Sequence, residues 1–140
     1  RVTSVTRKGA TVGADEVTSY FYNAFGDLFC VKLPQGNGIE YTYDTGGRRT
    51  AITRGTAFGS PSATQCLQTT GFRRERTAYS YNAAGQVFSE QQEFCATGTC
   101  SGSFTAEART EYVRSSRCHL DQVKSNSSPS PVLRGWLRGL

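Results

Sequence analysis

Bulky apolar and polar residues alternate along this chain in short runs, each closed by a cluster of Gly, Asn, Asp, Ser or Pro. Alternation of this kind marks half-buried β-strands, and the clusters between runs mark turns. One run is especially informative. Tyr20-x-Tyr22-Asn23-x-x-Gly26 returns as Tyr41-x-Tyr43-Asp44-x-x-Gly47, 21 residues later. Two tyrosines spaced by two project from the same face of a strand. Asn23 or Asp44 then opens a turn, where a short side-chain acceptor reaches backbone N–H groups two residues on. Gly26 or Gly47 closes it at a position expected to need positive φ. A second strand leaves the turn with apolar residues, as in Leu28-Phe29-Cys30-Val31, and Pro34 to Gly38 reverses the chain again. Two strands of about six residues per unit predict an antiparallel meander.

Later copies extend the pattern. Tyr79-x-Tyr81-Asn82-x-x-Gly85 is a clear third, and Tyr112-x-Arg114-Ser115-x-x-Cys118-His119-Leu120 a worn fourth. Val2-x-x-Val5 matches Leu28-x-x-Val31 and Leu120-x-x-Val123, so the chain opens on the tail of a further copy. Tyr41 to Tyr79 spans 38 residues and Tyr79 to Tyr112 spans 33. The surplus falls in residues 55–71 and 94–103, both rich in Gly, Ser and Thr, which predicts lengthened hairpins or protruding loops. At Ser125 the composition changes to a Ser/Pro-rich stretch that resembles a linker. Beyond it Val132, Leu133, Trp136, Leu137 and Leu140 have helix-like spacing, but Gly135 and Gly139 weaken a helix already too short to stand alone. The expected organisation is therefore a repeat segment over 1–124 and a flexible linker and tail over 125–140.

Composition adjusts this picture modestly. At 140 residues the chain is at most one ordinary domain or a slice of a longer protein, and its start at Arg1 rather than Met favours the slice. Fifteen glycines, no methionine, and aromatics that are nearly all Tyr and Phe lean towards strands and turns. The net charge of +5 arises from scattered residues, and the densest basic run, Arg73 to Arg76, is interrupted by Glu75. A solvated strand face accounts for it, and no nucleic-acid partner is expected. No stretch is apolar enough to span a membrane.

The motif Tyr-x-Tyr-Asp-x-x-Gly, returning after about twenty residues with a Pro- and Gly-containing turn between, resembles the YD repeat of the RHS family. That family includes bacterial RHS proteins, the C subunits of insecticidal toxin complexes, and the teneurins. The resemblance covers roughly residues 1–124. Tyr41 to Arg49 is close to the consensus, whereas the other copies carry Asn for Asp and Asp27 or Gln86 for the usual Arg. It implies a sheet spiralling into a hollow shell, which in bacterial members encloses a C-terminal toxin and in teneurins supports adhesion. The implied partners are other YD repeats of the parent chain, an enclosed toxin domain and, in one description of such repeats, carbohydrate. The implied location is secreted or cell-surface. The self-cleaving motif of bacterial members does not follow the repeats here, and the expected activity is structural and non-enzymatic.

Candidate chemistry is sparse. Cys95, Cys100, Cys118 and His119 are the only grouping worth testing as a zinc site. Strand neighbours such as Cys118 and His119 point to opposite faces, which argues against both zinc and a Cys-His dyad, so no metal or cofactor is expected. Cys66, Cys95 and Cys100 lie in the surplus segments and are candidates for a disulfide in an exported protein. Cys30, embedded in a strand, is the candidate for the odd free thiol; the alternative is that all five cysteines are reduced fillers. The tyrosine pairs read either as a sugar-stacking platform or as a ladder of cross-strand aromatic contacts, with recurrence in register favouring the ladder. Asp15 and Glu16 sit in an expected turn with no partner acid, which leaves a glycosidase reading without support.

Overall fold

A computed structural model describes residues 1–11, 13–62, 65–69, 71–95, 104–114 and 120–127. They form a single antiparallel sheet whose nine strands lie side by side in chain order. The strands are β1 (Ser4–Arg7), β2 (Glu16–Tyr22), β3 (Leu28–Lys32), β4 (Gly38–Tyr43) and β5 (Arg49–Gly55), followed by β6 (Arg74–Tyr81), β7 (Val87–Cys95), β8 (Thr105–Arg114) and β9 (Leu120–Ser127). The first and last strands do not pair, so the sheet is open and both its edges are free within the described residues. The chain is all-β, as the alternating pattern predicts. β9 continues three residues past the expected boundary at Ser125 and stays paired with β8 through Ser127. The remainder of the expected linker and tail, 128–140, lies outside the described residues.

All four copies of the motif take equivalent places. The first tyrosine slot of each lies on an even-numbered strand, β2, β4, β6 or β8. Each of these strands shifts register with its successor at the second slot: between Phe21 and Tyr22, Thr42 and Tyr43, Ser80 and Tyr81, Val113 and Arg114. Such a bulge adds twist and bends the ribbon at a fixed point. The fourth copy, which has lost its second tyrosine, keeps the bulge.

The turn chemistry is equally regular. The N–H of Gly26 donates to the Asn23 carbonyl at 3.0 Å, that of Gly47 to Asp44 at 3.0 Å and that of Gly85 to Asn82 at 2.9 Å. The glycines have φ of 99°, 75° and 77°, so a side chain at any of them would be strained. Across each turn the Asn or Asp side chain accepts the N–H of the residue four positions on. Its second atom then selects a matching partner. The Asn23 amide donates to the Asp27 carboxylate at 3.2 Å and the Asn82 amide to the Gln86 carbonyl at 3.2 Å. The Asp44 carboxylate accepts from Arg48 Nε at 2.7 Å. The two departures from the Asp/Arg pattern therefore occur together, because an amide donor needs an acceptor where a carboxylate needs a donor.

The Arg48 backbone N–H and then its guanidinium hold the Asp44 carboxyl below its usual 3.8. Lys8 and the Gly9 N–H do the same for Asp15. A carboxyl depressed in the folded state stabilises fully above its unfolded value and loses that contribution as pH falls through the folded one. The urea midpoint is accordingly expected to stay level down to about pH 4 and to drop below it. The Asp44→Asn variant should show a smaller drop in the same titration.

Candidate functional site

The register divides the sheet into two faces of different character. Residues paired across strands share a face. One row runs Phe21, Cys30, Glu40, Thr53, Arg76, Glu93 across β2 to β7. Against its first half lie residues 56–62 and 65–69, from the surplus segment expected to form a lengthened hairpin or a protruding loop. They form a hairpin that folds back onto the sheet. Phe58 and Leu67 form an isolated bridge, Gly59 N–H donates to the Cys66 carbonyl at 2.6 Å, and Phe58 N–H donates to the Gly36 carbonyl at 2.7 Å. Phe29, Cys30, Cys66 and Leu67 make a buried cluster with Phe21 and Phe58 packed on it, the two phenylalanine rings stacked 5.5 Å apart.

The sheet makes room for this hairpin with glycine. Gly38 and Gly55 face each other across β4 and β5. A Cβ on Gly38 would meet the Phe58 ring at 2.7 Å, and one on Gly55 would meet the Leu67 side chain at 3.1 Å. Glu40 then fixes the hairpin electrostatically. It is buried, and its Oε2 accepts the Cys66 N–H at 2.9 Å and the Leu67 N–H at 3.5 Å. Two backbone donors that burial would otherwise strand are satisfied by one carboxylate.

A disulfide joins Cys30 to Cys66, with Cα atoms 6.3 Å apart and a sequence separation of 36. This corrects the assignment of Cys30 as the free thiol. Cys66 does not bridge to Cys95 or Cys100. It pairs with the strand residue that the folded-back hairpin covers, a proximity created by register rather than by sequence distance. Cys95 is disulfide-bonded as well. Its candidate partner Cys100, together with Cys118 and His119, lies outside the described residues.

Beyond the hairpin the same face carries paired charges. Arg76 and Glu93, opposite each other in register, form an ion pair, and the Gln91 amide donates to Glu93 at 2.8 Å. Phe104 lies under both Arg74 and Arg76, at 5.0 and 4.1 Å. The basic run is thus not a solvated strand face throughout. Arg73 pairs with Glu75 in solvent, but Arg74 is 4% exposed. Burial pushes its guanidinium down from the ordinary value while the Glu40 charge opposes that shift.

The opposite face carries the tyrosines. Tyr20 stands across from Val31, Tyr41 from Ile52 and Tyr79 from Glu90. Because the motif occupies alternate strands, tyrosines of successive copies are two strand spacings apart, about 10 Å. The aromatic ladder expected from the sequence therefore does not form among them. Arginines fill the gaps instead: Arg49 lies 4.6 Å from the Tyr41 ring, Arg48 4.9 Å from Tyr81 and Arg1 5.4 Å from Tyr22. Burial, and then the Glu90 charge, raise the Tyr79 hydroxyl above its ordinary value, with Arg49 and Arg54 opposing.

The two tyrosine slots differ in role. The hydroxyl of the second one donates to a backbone carbonyl of the preceding copy. Tyr22 reaches Val2, Tyr43 reaches Leu28 and Tyr81 reaches Arg49, at 2.8, 2.8 and 2.5 Å. Leu28 and Arg49 each lie two residues past their turn glycine, and Val2 is the residue that matches Leu28 in the opening fragment. Each second tyrosine thus clasps its copy to the one before. The first-slot tyrosines Tyr20, Tyr41 and Tyr79 make no such bond.

Asp15 and Glu16 are committed to cross-strand partners, Lys8 at 2.6 Å and Arg7 at 3.6 Å. Among the described residues there is no helix long and apolar enough to cross a membrane. Sequence reasoning missed Glu40, Gly38, Gly55, Phe58 and Leu67 as members of one cluster. The available signal was an apolar pair, Phe58 and Leu67, inside an otherwise Gly/Ser/Thr-rich stretch. No family model matches the chain, and no curated protein matches it either.

Proposed function

We propose that this chain is a non-enzymatic structural segment of an RHS-like protein, part of a β-shell that encloses a C-terminal toxin exported with it. The observation that carries this reading is the clasp. An interaction repeated at three equivalent positions links each copy to its predecessor, and it has no counterpart in a site that works alone. Such a chain of links suits a sheet that continues. The outer edges of β1 and β9, unpaired within the described residues, favour the same reading, since unpaired strand edges recruit further strands. The partners on this reading are other YD repeats of the same parent chain and the enclosed domain.

A second reading, a cell-surface carbohydrate-binding or adhesion module, draws on a groove of about 570 Å³ lined by Tyr20, Tyr22, Phe29 and Pro61 among others. Aromatic faces of this kind stack on sugars. Two measurements separate the readings. Translating the reading frame on either side should reveal further Tyr-x-Tyr-Asn/Asp-x-x-Gly copies and then a C-terminal domain of different composition. A frame with neither removes the shell. A glycan array probed with the purified chain should stay at background. Binding that disappears in Tyr22→Ala would instead favour adhesion.

A further inference from the structure

We propose that Cys30, Cys66 and Glu40 form a binding site for a thiophilic divalent cation, zinc above all, when the disulfide between the two cysteines is reduced. The three ligand atoms lie within 4.8 Å of one another, and all three residues are buried. They come from three separate pieces of chain: β3, β4 and the folded-back hairpin. An ion held there would tie the hairpin to the sheet, as the disulfide does.

The geometry needs little change. A tetrahedral zinc ion takes thiolate sulfur at about 2.3 Å and carboxylate oxygen at about 2.0 Å, which spaces the sulfurs by about 3.8 Å. Once reduction breaks the bond between them the sulfurs must move apart to that spacing, which stays inside the 4.8 Å that bounds the three donor atoms. Glu40 is already aimed at the site, because the Cys66 and Leu67 N–H groups hold its Oε2 beside the cysteine it would join. Two backbone donors thus orient a ligand from behind, as supporting hydrogen bonds do at metal sites. The charges also balance. Two thiolates and a carboxylate bring three negative charges, the ion brings two positive ones, and the buried Arg74 guanidinium, which interacts with Glu40, supplies the third. With three protein ligands the ion keeps one position for water.

The chemistry closes without further reactants than a dithiol and the metal. A dithiol reductant transfers two electrons and two protons to the Cys30–Cys66 bond and is itself oxidised to a disulfide. The two cysteine thiols formed then each lose their proton on binding the ion. Cys30 is 0% exposed and Cys66 2% exposed, so reduction and metal entry both require the hairpin to open transiently. The site is accordingly a property of the chain in a reducing environment, and the disulfide its counterpart in an oxidising one.

The test is residue-resolved alkylation of the intact chain. The protein is reduced with a non-thiol phosphine, which leaves no chelating thiol in solution. It is then exposed to iodoacetamide with and without one equivalent of Zn²⁺, and each cysteine is quantified by peptide mass. Zinc should slow alkylation of Cys30 and Cys66 together by at least about tenfold. A chelator should reverse the effect, and Glu40→Gln, which keeps an acceptor for the two N–H groups, should abolish most of it. Circular dichroism of the same samples reports whether the sheet persists, so loss of protection in the variant can be told from unfolding. Unchanged alkylation of Cys30 and Cys66, protection confined to Cys95, Cys100 or Cys118, or protection that survives Glu40→Gln with the sheet intact would each overturn the proposal.

Discussion

Replacing Cys30 and Cys66 together with alanine is expected to destabilise the oxidised chain by about 4 kcal/mol, the loop-closure value for a 36-residue separation. The effect exceeds that of any single hydrogen bond in the fold, because the crosslink restricts the unfolded chain across three strands and two turns. Apart from the main chain itself, no other covalent link ties residues 56–62 and 65–69 to the sheet among the described residues. Without the crosslink the hairpin is held by Phe58, Leu67 and the Glu40 carboxylate. Alanine is chosen because both positions sit in an apolar cluster, where an unpaired hydroxyl would add its own cost. Urea denaturation under oxidising conditions, followed by far-ultraviolet circular dichroism, measures the difference. Retention of the β signal in buffer with a lower midpoint is the expected result. A loss below about 1 kcal/mol would mean that packing and Glu40 already hold the hairpin, with the disulfide redundant.

The meander was legible in the sequence because the information that specifies it is local. Tyr-x-Tyr fixes a face, Asn or Asp opens a turn, and a glycine with positive φ closes it, all within seven residues. Even the matching of Val2 to Leu28 could be read, and it reappears as two carbonyls accepting equivalent tyrosine hydroxyls. The stapled hairpin was not legible, because its partners meet only through register. Cys30 lies 36 residues from Cys66, and Glu40 lies 26 from the N–H it accepts. A Gly/Ser/Thr-rich stretch reads as a lengthened hairpin or a protruding loop, and nothing local shows that it folds back unless Gly38 and Gly55 are known to stand opposite each other beneath it. The role of the tyrosines was half legible. Their recurrence announces construction, but the alternation of strands that forbids ring-on-ring contact and leaves the hydroxyl as the link is a property of the sheet.

That division of labour between the two slots makes the sharpest claim. Tyr22, Tyr43 and Tyr81 each donate to the preceding copy, whereas Tyr20, Tyr41 and Tyr79 present the same ring without that bond. Tyr→Phe removes only the hydroxyl and leaves the ring in place, under Arg1 at Tyr22 and under Arg48 at Tyr81. Each second-slot replacement should therefore cost about 0.5–1 kcal/mol, at the modest end because two of the three bonds are solvent-exposed. The three bonds belong to different copies and end on different carbonyls, so their losses should sum to about 2 kcal/mol, with some coupling between neighbours because Leu28 pairs in register with Tyr22 and Arg49 with Tyr43. A sugar-stacking platform makes a different demand, since it depends on rings in both slots and on the hydroxyls of neither in particular.

The most direct measurement compares two triple variants by urea denaturation: Tyr22→Phe, Tyr43→Phe and Tyr81→Phe in one, and Tyr20→Phe, Tyr41→Phe and Tyr79→Phe in the other. The account predicts a loss of about 2 kcal/mol in the first and a change within about 0.5 kcal/mol in the second. Equal losses in both, or no loss in either, would contradict the claim that the second tyrosine of each copy is what clasps the sheet together.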